Sequence, residues 1–229
     1  MATLAQLLAN HGCILVLDAA ATSVQVGLLR TGAPAVWHTS PDEASKSLFA
    51  CAAAGLRDAG VGLDAVRAFV FCEGPGSMLG VRTVAMAIRT WQAVQPRPAY
   101  RYQSLVLLAH ELQRAGTPAP FAVIADARRD TWHDVTVSAA GQIAPLRRVP
   151  VTELATGTKP LYQPTAFRAW AKSPRATQDC AYDVAQLLAA HADANLFAAT
   201  DAPDAFQYEA PEYKKWSAQV HSAATANPK

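Results

Sequence analysis

The sequence predicts an α/β protein of two lobes, and three observations carry that prediction. A short apolar run ending in aspartate occurs twice, at Cys13 to Asp18 and at Phe121 to Asp126. Each is followed by two more strand-like runs, so a strand-strand-strand order appears in both halves and hints at two related lobes. Between them, Gly74-Pro75-Gly76-Ser77-Met78-Leu79-Gly80-Val81-Arg82 joins a strand-like run to a helix-like one. With 229 residues and 51% hydrophobic content, the chain can bury one large domain or two lobes.

The elements follow in order. Residues 1–12 are a helix-like lead, read as an N-terminal extension. Cys13 to Asp18, Val24 to Leu29 and, after the Thr31-Gly32 turn, Ala35 to His38 form a meander of three strands. A helix from about Ala44 to Ala59 places Leu48, Phe49, Ala52 and Leu56 on one face, with Asp58-Ala59-Gly60 closing it. Val66 to Cys72 is short, rich in β-branched and aromatic residues and bounded by turns, as a buried strand is. Beyond the glycine loop, Val81, Val84, Ala85, Ile88 and Trp91 recur at helical spacing and share a face. Past Pro96 and Pro98 come an extended piece, Ala99 to Tyr102, and a helix capped by Ser104 that aligns Leu105, Leu108, Ala109 and Leu112. After Phe121 to Asp126, strands are expected at Trp132 to Ser138 and Gln142 to Val149. Helices are expected near Thr165 to Ala171 and Tyr182 to Phe197, and a polar tail from Ser217. The expected divisions are 1–12 for the extension, 13–102 for the first lobe, 103–203 for the second, and 204–229 for a C-terminal segment and tail.

Composition excludes several classes. A net charge of +2 with 17% charged residues carries no signal of a nucleic-acid binder acting alone, so any such contact would be shared with a partner. No apolar run reaches the roughly 18 residues of a membrane span, and the N-terminus lacks a basic signal region, so a cytoplasmic protein is expected. Cys13, Cys51, Cys72 and Cys180 are widely spaced in mostly apolar runs and read as reduced core thiols. The six histidines are scattered and no Cys-x-x-Cys or His-x-x-x-His pair occurs, so no metal site is expected.

The glycine loop has two physical readings. A strand-to-helix junction aims backbone N–H groups and a helix dipole at one point, which can hold a phosphate. Glycine is equally demanded wherever φ is positive or two backbones must approach closely. No Gly-Lys-Ser/Thr follows, and the spacing is not Gly-x-Gly-x-x-Gly, so neither a Walker loop nor a dinucleotide fingerprint is present. On the phosphate reading the candidate positions are Gly74, Gly76, Ser77, Gly80 and Arg82, with Asp18 as a strand-end carboxylate. A serine protease is disfavoured, because Ser77 lies outside a Gly-x-Ser-x-Gly elbow. Cys72 sits in an apolar strand, where burial raises a thiol's pKa.

Four features in order carry a family likeness: the strand ending in Asp18, the loop Gly74 to Arg82, the strand ending Asp126-Ala127-Arg128, and the segment ending Tyr213-Lys214-Lys215. The chain resembles the TsaB (YeaZ) family over nearly its whole length. The loop is similar to the family's Gly-Pro-Gly-Ser-Phe-Thr-Gly-Val/Leu-Arg signature, departing only at Met78 and Leu79. The resemblance implies a two-lobed fold of the actin, sugar kinase and Hsp70 class (ASKHA), with ribonuclease H-like mixed sheets. It also implies a non-catalytic scaffold supporting a TsaD-like catalytic subunit in tRNA threonylcarbamoyladenosine (t6A) modification, together with a TsaE-like ATPase. The chain alone would be a homodimer, touching tRNA only through the complex. The implied docking surface lies on the helices near Ala44 to Ala59 and Thr83 to Val94, with Leu48, Ala52, Ala53, Arg89 and Trp91 as its expected residues. The run Ala50-Cys51-Ala52-Ala53-Ala54-Gly55 adds small residues that allow another helix to approach closely.

The departures bear on chemistry. The family's Asp-Thr-Ala/Ser-Thr turn is Asp18-Ala19-Ala20-Ala21 here, so the hydroxyls that could donate to a phosphate are gone. Ala44 stands where relatives often carry His, Thr131-Trp132-His133 replaces Glu-Val-Tyr, and Phe206-Gln207-Tyr208 loosely matches Tyr-Leu-Arg. No cofactor is expected beyond weak ATP or ADP with Mg²⁺ at a degenerate site. The alternative is a nucleotide-dependent phosphotransferase of the same fold, with Asp18 and Asp126 as its carboxylates. Lys214, Lys215 and Trp216 could touch tRNA but read more simply as a solvated tail.

Overall fold

The computed structural model describes residues 1–207; the expectations for Tyr208, Tyr213, Lys214, Lys215, Trp216 and the tail from Ser217 lie outside them. The strand-strand-strand opening builds two mixed sheets of one topology. In the first, β1 (Cys13–Asp18), β2 (Val24–Arg30) and β3 (Val36–Ser40) form an antiparallel meander. β4 (Ala68–Gly74) and β5 (Ala99–Gln103) then continue the sheet in parallel on the other side of β1. In the second, β6 (Phe121–Asp126), β7 (Thr131–Val137) and β8 (Arg147–Pro150) repeat the meander. β9 (Leu161–Pro164) and β10 (Thr177–Cys180) repeat the parallel pair. The orders β3-β2-β1-β4-β5 and β8-β7-β6-β9-β10 are the same order twice. This is the two-lobed, ribonuclease H-like architecture of the actin class. A last strand, β11 (Ala198–Thr200), returns to the free edge of β5, so the first sheet has six strands.

Side-chain alternation assigns the strand faces. Ile14 and Val16 of β1 face a central core, while Leu15 and Leu17 face α2 (Ala44–Asp58) and α3 (Met78–Val94) on the outer side. Phe121, Val123 and Ala125 of β6 join the same central core, whereas Ala122 and Ile124 pack toward α5 (Val151–Thr156). α4 (Ser104–Arg114) and α6 (Val184–Ala190) supply Leu105, Leu108, Leu187 and Leu188 to the central core, so one continuous apolar cluster joins the two lobes. The lead helix α1 (Leu4–His11) belongs to it too. Thr3 and Gln6 form a capping box, Leu4 and Leu7 are buried, and Ala2 exchanges backbone hydrogen bonds with Phe197.

Several expectations need correction. Residues 165–171 form turns rather than a helix, because this segment is tethered by hydrogen bonds to Asp126 and to the end of β10. The helix expected from Tyr182 to Phe197 is only α6, capped at Asp183 and ended near His191. The strand expected from Gln142 is confined to β8, with an isolated bridge at Ile143. Ser104 is not a cap but the first residue of α4, and its hydroxyl donates to the Pro75 carbonyl at 2.6 Å. Phe49 does not share the buried face of α2; it is 51% exposed. All four cysteines are free and buried. Among the described residues no helix is long and apolar enough to cross a membrane.

Candidate functional site in the cleft between the lobes

The repeat places the β1–β2 turn of one lobe opposite the β6–β7 turn of the other, and a cleft of about 590 Å³ opens between them. The first lobe lines it with residues 19–24, with Asp42 to Ala44 at the start of α2, and with Gly76 to Gly80 at the start of α3. The second lobe contributes Asp126 to Arg129, His133, Arg148, Arg168 and Trp170.

On the first-lobe side the glycine loop is closed against the alanine turn. Ser77 N–H donates to the Ala20 carbonyl at 2.7 Å, and the Ser77 hydroxyl accepts from Gly80 N–H at 3.3 Å. A Cβ on Gly76 would sit 2.3 Å from the Ala20 carbonyl oxygen, and one on Gly80 would sit 2.1 Å from that of Ala19. The glycines therefore permit the contact between two backbone segments. Ala19, Ala20 and Ala21 are all buried by it. Gly74 is buried at the end of β4 with φ +111°, while Arg82 is exposed on α3.

Asp18 is fully buried below this turn. Its carboxylate accepts from Tyr102 (2.5 Å), from Tyr182 of the second lobe (2.7 Å) and from Ala20 N–H (2.8 Å). Burial pushes its pKa up, and these three hydrogen bonds pull against that shift. Burial and the neighbouring Asp18 push the Cys72 thiol well up, as expected of an inert thiol. Asp18 thus acts as an acceptor tying the lobes together.

Asp126 is engaged differently. It accepts from the backbone N–H groups of Arg128 (2.6 Å), Trp170 (2.6 Å) and Ala171 (2.9 Å). Partial burial raises its pKa, but these bonds with the Arg128 charge hold it below the ordinary carboxylate range. The turn it anchors carries three consecutive left-handed residues, Arg128, Arg129 and Asp130, with φ of 63°, 51° and 56°. Non-glycine residues pay roughly 1–2 kcal/mol each for that conformation, offset here by the Asp126 and Thr131 hydrogen bonds. Arg128 lies over the Trp170 ring at 4.8 Å. Arg148 donates to the neutral Thr131 hydroxyl (2.7 Å) and Ala127 carbonyl (3.3 Å).

His133 lines the same cleft. Burial, and then the Arg148 charge, lower its pKa to about 4. An NMR titration should find this imidazole neutral until the pH falls toward that value. Because its folded pKa lies below the unfolded one, it contributes stability above about pH 6.5 that is lost as the pH falls toward the folded value.

The residues expected at an interface separate by burial. Leu48 and Ala52 lie in the core and present nothing to a partner, whereas Ala53 is exposed on α2. Arg89 is exposed and meets Asp204 at 3.3 Å. Trp91 is half-buried, stacked on Phe69 and edge-on to Phe49. Beside them Met86 (56% exposed) and Val94 (86%) recur on one line of α3, so the outer surface of α2 and α3 is apolar where it meets solvent. Sequence reasoning missed Arg148, Arg168 and Trp170 as cleft residues. Only the doubled arginine after Asp126 hinted at a basic wall.

Residues 40–143 match the family model of TsaD, the tRNA N6-adenosine threonylcarbamoyltransferase. No curated protein matched the chain. Among solved structures it is similar to YeaZ from Pseudomonas aeruginosa, with a TM-score of 0.60 and 24% identity over 79% of this chain and 90% of that one. It is also similar to an uncharacterized protein from the same organism described as resembling peptidase YEAZ, with a TM-score of 0.56 and 22% identity over 81% and 97% of the two chains. Both likenesses concern the fold.

Proposed function

We propose that this relative of TsaD, with the fold of YeaZ, is a non-catalytic partner subunit of tRNA t6A modification that supports a TsaD-like catalytic subunit. The observation that carries the reading is the exposed apolar surface of α2 and α3, which lies within the segment matching the TsaD model. Phe49, Met86 and Val94 bury nothing in the isolated chain, and Ala53 leaves room for a second helix beside them. Such a surface suits a helix-on-helix interface burying about 1,200–2,000 Å² in total. The same surface would pair two copies when the catalytic subunit is absent. A TsaE-like ATPase would complete the cytoplasmic assembly, and tRNA would be contacted through it.

The two strand-end carboxylates support a supporting role over phosphotransfer. Asp18 accepts from two tyrosines below the surface, and Asp126 accepts from three backbone amides, so both are already committed to holding the fold. Ala53→Arg places a charge on the exposed surface of α2 without touching the core. It is expected to leave the melting temperature unchanged and to abolish co-purification of the full-length chain with a TsaD-like subunit. Full assembly of the variant would refute this reading.

A further inference from the structure

The second-lobe wall of the cleft carries more positive charge than its own contacts require. Arg128, Arg129, Arg148 and Arg168 all line it. Arg129 and Arg168 make no ion pair among the described residues, and Arg148 reaches only neutral oxygens. Three carboxylates line the cleft with them. Asp126 is held by backbone amides, while Asp42 and Glu43 belong to the opposite wall at the start of α2. Trp170 is 66% exposed beside this wall, with Arg128 over its ring. Guanidinium groups match phosphate oxygens, and an exposed indole offers a face on which a base can stack.

We propose that the cleft binds the phosphate and base of a nucleotide without a divalent cation, through Arg128, Arg129, Arg148 and Arg168 with Trp170 as the stacking surface. The arginines take the place a metal ion would have. Among the described residues no group of three His, Cys, Asp or Glu side chains is placed to hold one, and Asp18 is sealed off below the alanine turn. The same chemistry is presented by a free nucleotide and by an unpaired nucleotide in an RNA strand. The scaffold reading requires no ligand, so this inference stands apart from it.

The test is calorimetric titration of the full-length chain with ADP and with pyrophosphate, in EDTA and in excess Mg²⁺, alongside anisotropy with a labelled single-stranded oligoribonucleotide. Binding in EDTA is expected, weakened by Mg²⁺ because the cation neutralises the phosphate before the arginines can. The Arg129→Glu/Arg168→Glu double variant should bind at least about tenfold more weakly, the loss of roughly one charge-assisted contact. Its melting temperature should not move, since both side chains are exposed and unpaired. Trp170→Ala should weaken ADP and leave pyrophosphate unchanged. An oligoribonucleotide that competes with ADP would identify an RNA strand as the source, and ADP binding without it would identify a free nucleotide. No binding in EDTA, a requirement for Mg²⁺, or unaltered affinity in the double variant would each overturn the proposal. The Ala53→Arg assembly experiment is unaffected by any of these results.

Discussion

Replacing Asp18 by alanine is expected to lower stability by about 3 kcal/mol, because two buried tyrosine hydroxyls and a buried amide lose their acceptor together. In a chain of this size that loss lowers the melting temperature by roughly 6–12 °C. The effect is larger than a surface hydrogen bond would give because Tyr182 comes from the far lobe, so the carboxylate holds two sheets in register. Asp18→Asn should cost less, since it keeps a carbonyl acceptor and removes a charge that burial disfavours. The pH dependence has a definite sign. The folded pKa is raised, so the wild-type carboxyl contributes its stability in full below the unfolded carboxylate value and loses it as the pH rises through the folded one. The deficit of Asp18→Asn relative to wild type should therefore shrink as the pH rises. Urea unfolding of both variants at acidic and neutral pH measures it; an Asp18→Ala variant as stable as wild type would remove the inter-lobe tie from the account.

Gly80→Ala should be comparably costly for a steric reason. Its Cβ would lie 2.1 Å from the Ala19 carbonyl oxygen, a backbone atom of a buried turn that cannot rotate away. Forcing the two segments apart should cost about 3 kcal/mol, at the upper end for overpacking. Gly76→Ala adds a positive φ of 151° to a 2.3 Å contact with the Ala20 carbonyl and should be at least as damaging. Gly32→Ala is the control, since its φ is also positive but its Cβ would meet nothing within 4 Å. If Gly80→Ala and the Gly32 control unfold at the same urea concentration, close approach is not what the loop requires.

The opening strands were legible because each packs on both faces, so it reads as an unbroken apolar run: β1 is buried at every position, and β6 at all but its last. α2 and α3 were legible from their period, although Phe49 shows that an apolar residue at helical spacing can face solvent. β9, β10 and the turns of residues 165–171 were not legible, being short and set by hydrogen bonds to partners distant in the chain. In the cleft, Gly74 to Arg82 and Asp18 stood out by type and spacing. Arg148, Arg168 and Trp170 did not, because nothing local distinguishes an arginine on a cleft wall from one in solvent.

By itself the sequence determined the doubled strand order, the boundaries of the long helices, and the glycines of the strand-to-helix loop, all of which follow from local period and backbone freedom. Only the tertiary structure decided what those glycines meet and what Asp18 serves. The first depends on a turn some sixty residues earlier, and the second on a tyrosine 164 residues later. Contacts across such separations are fixed by how two sheets pack on a shared core, and no periodicity along the chain encodes that packing.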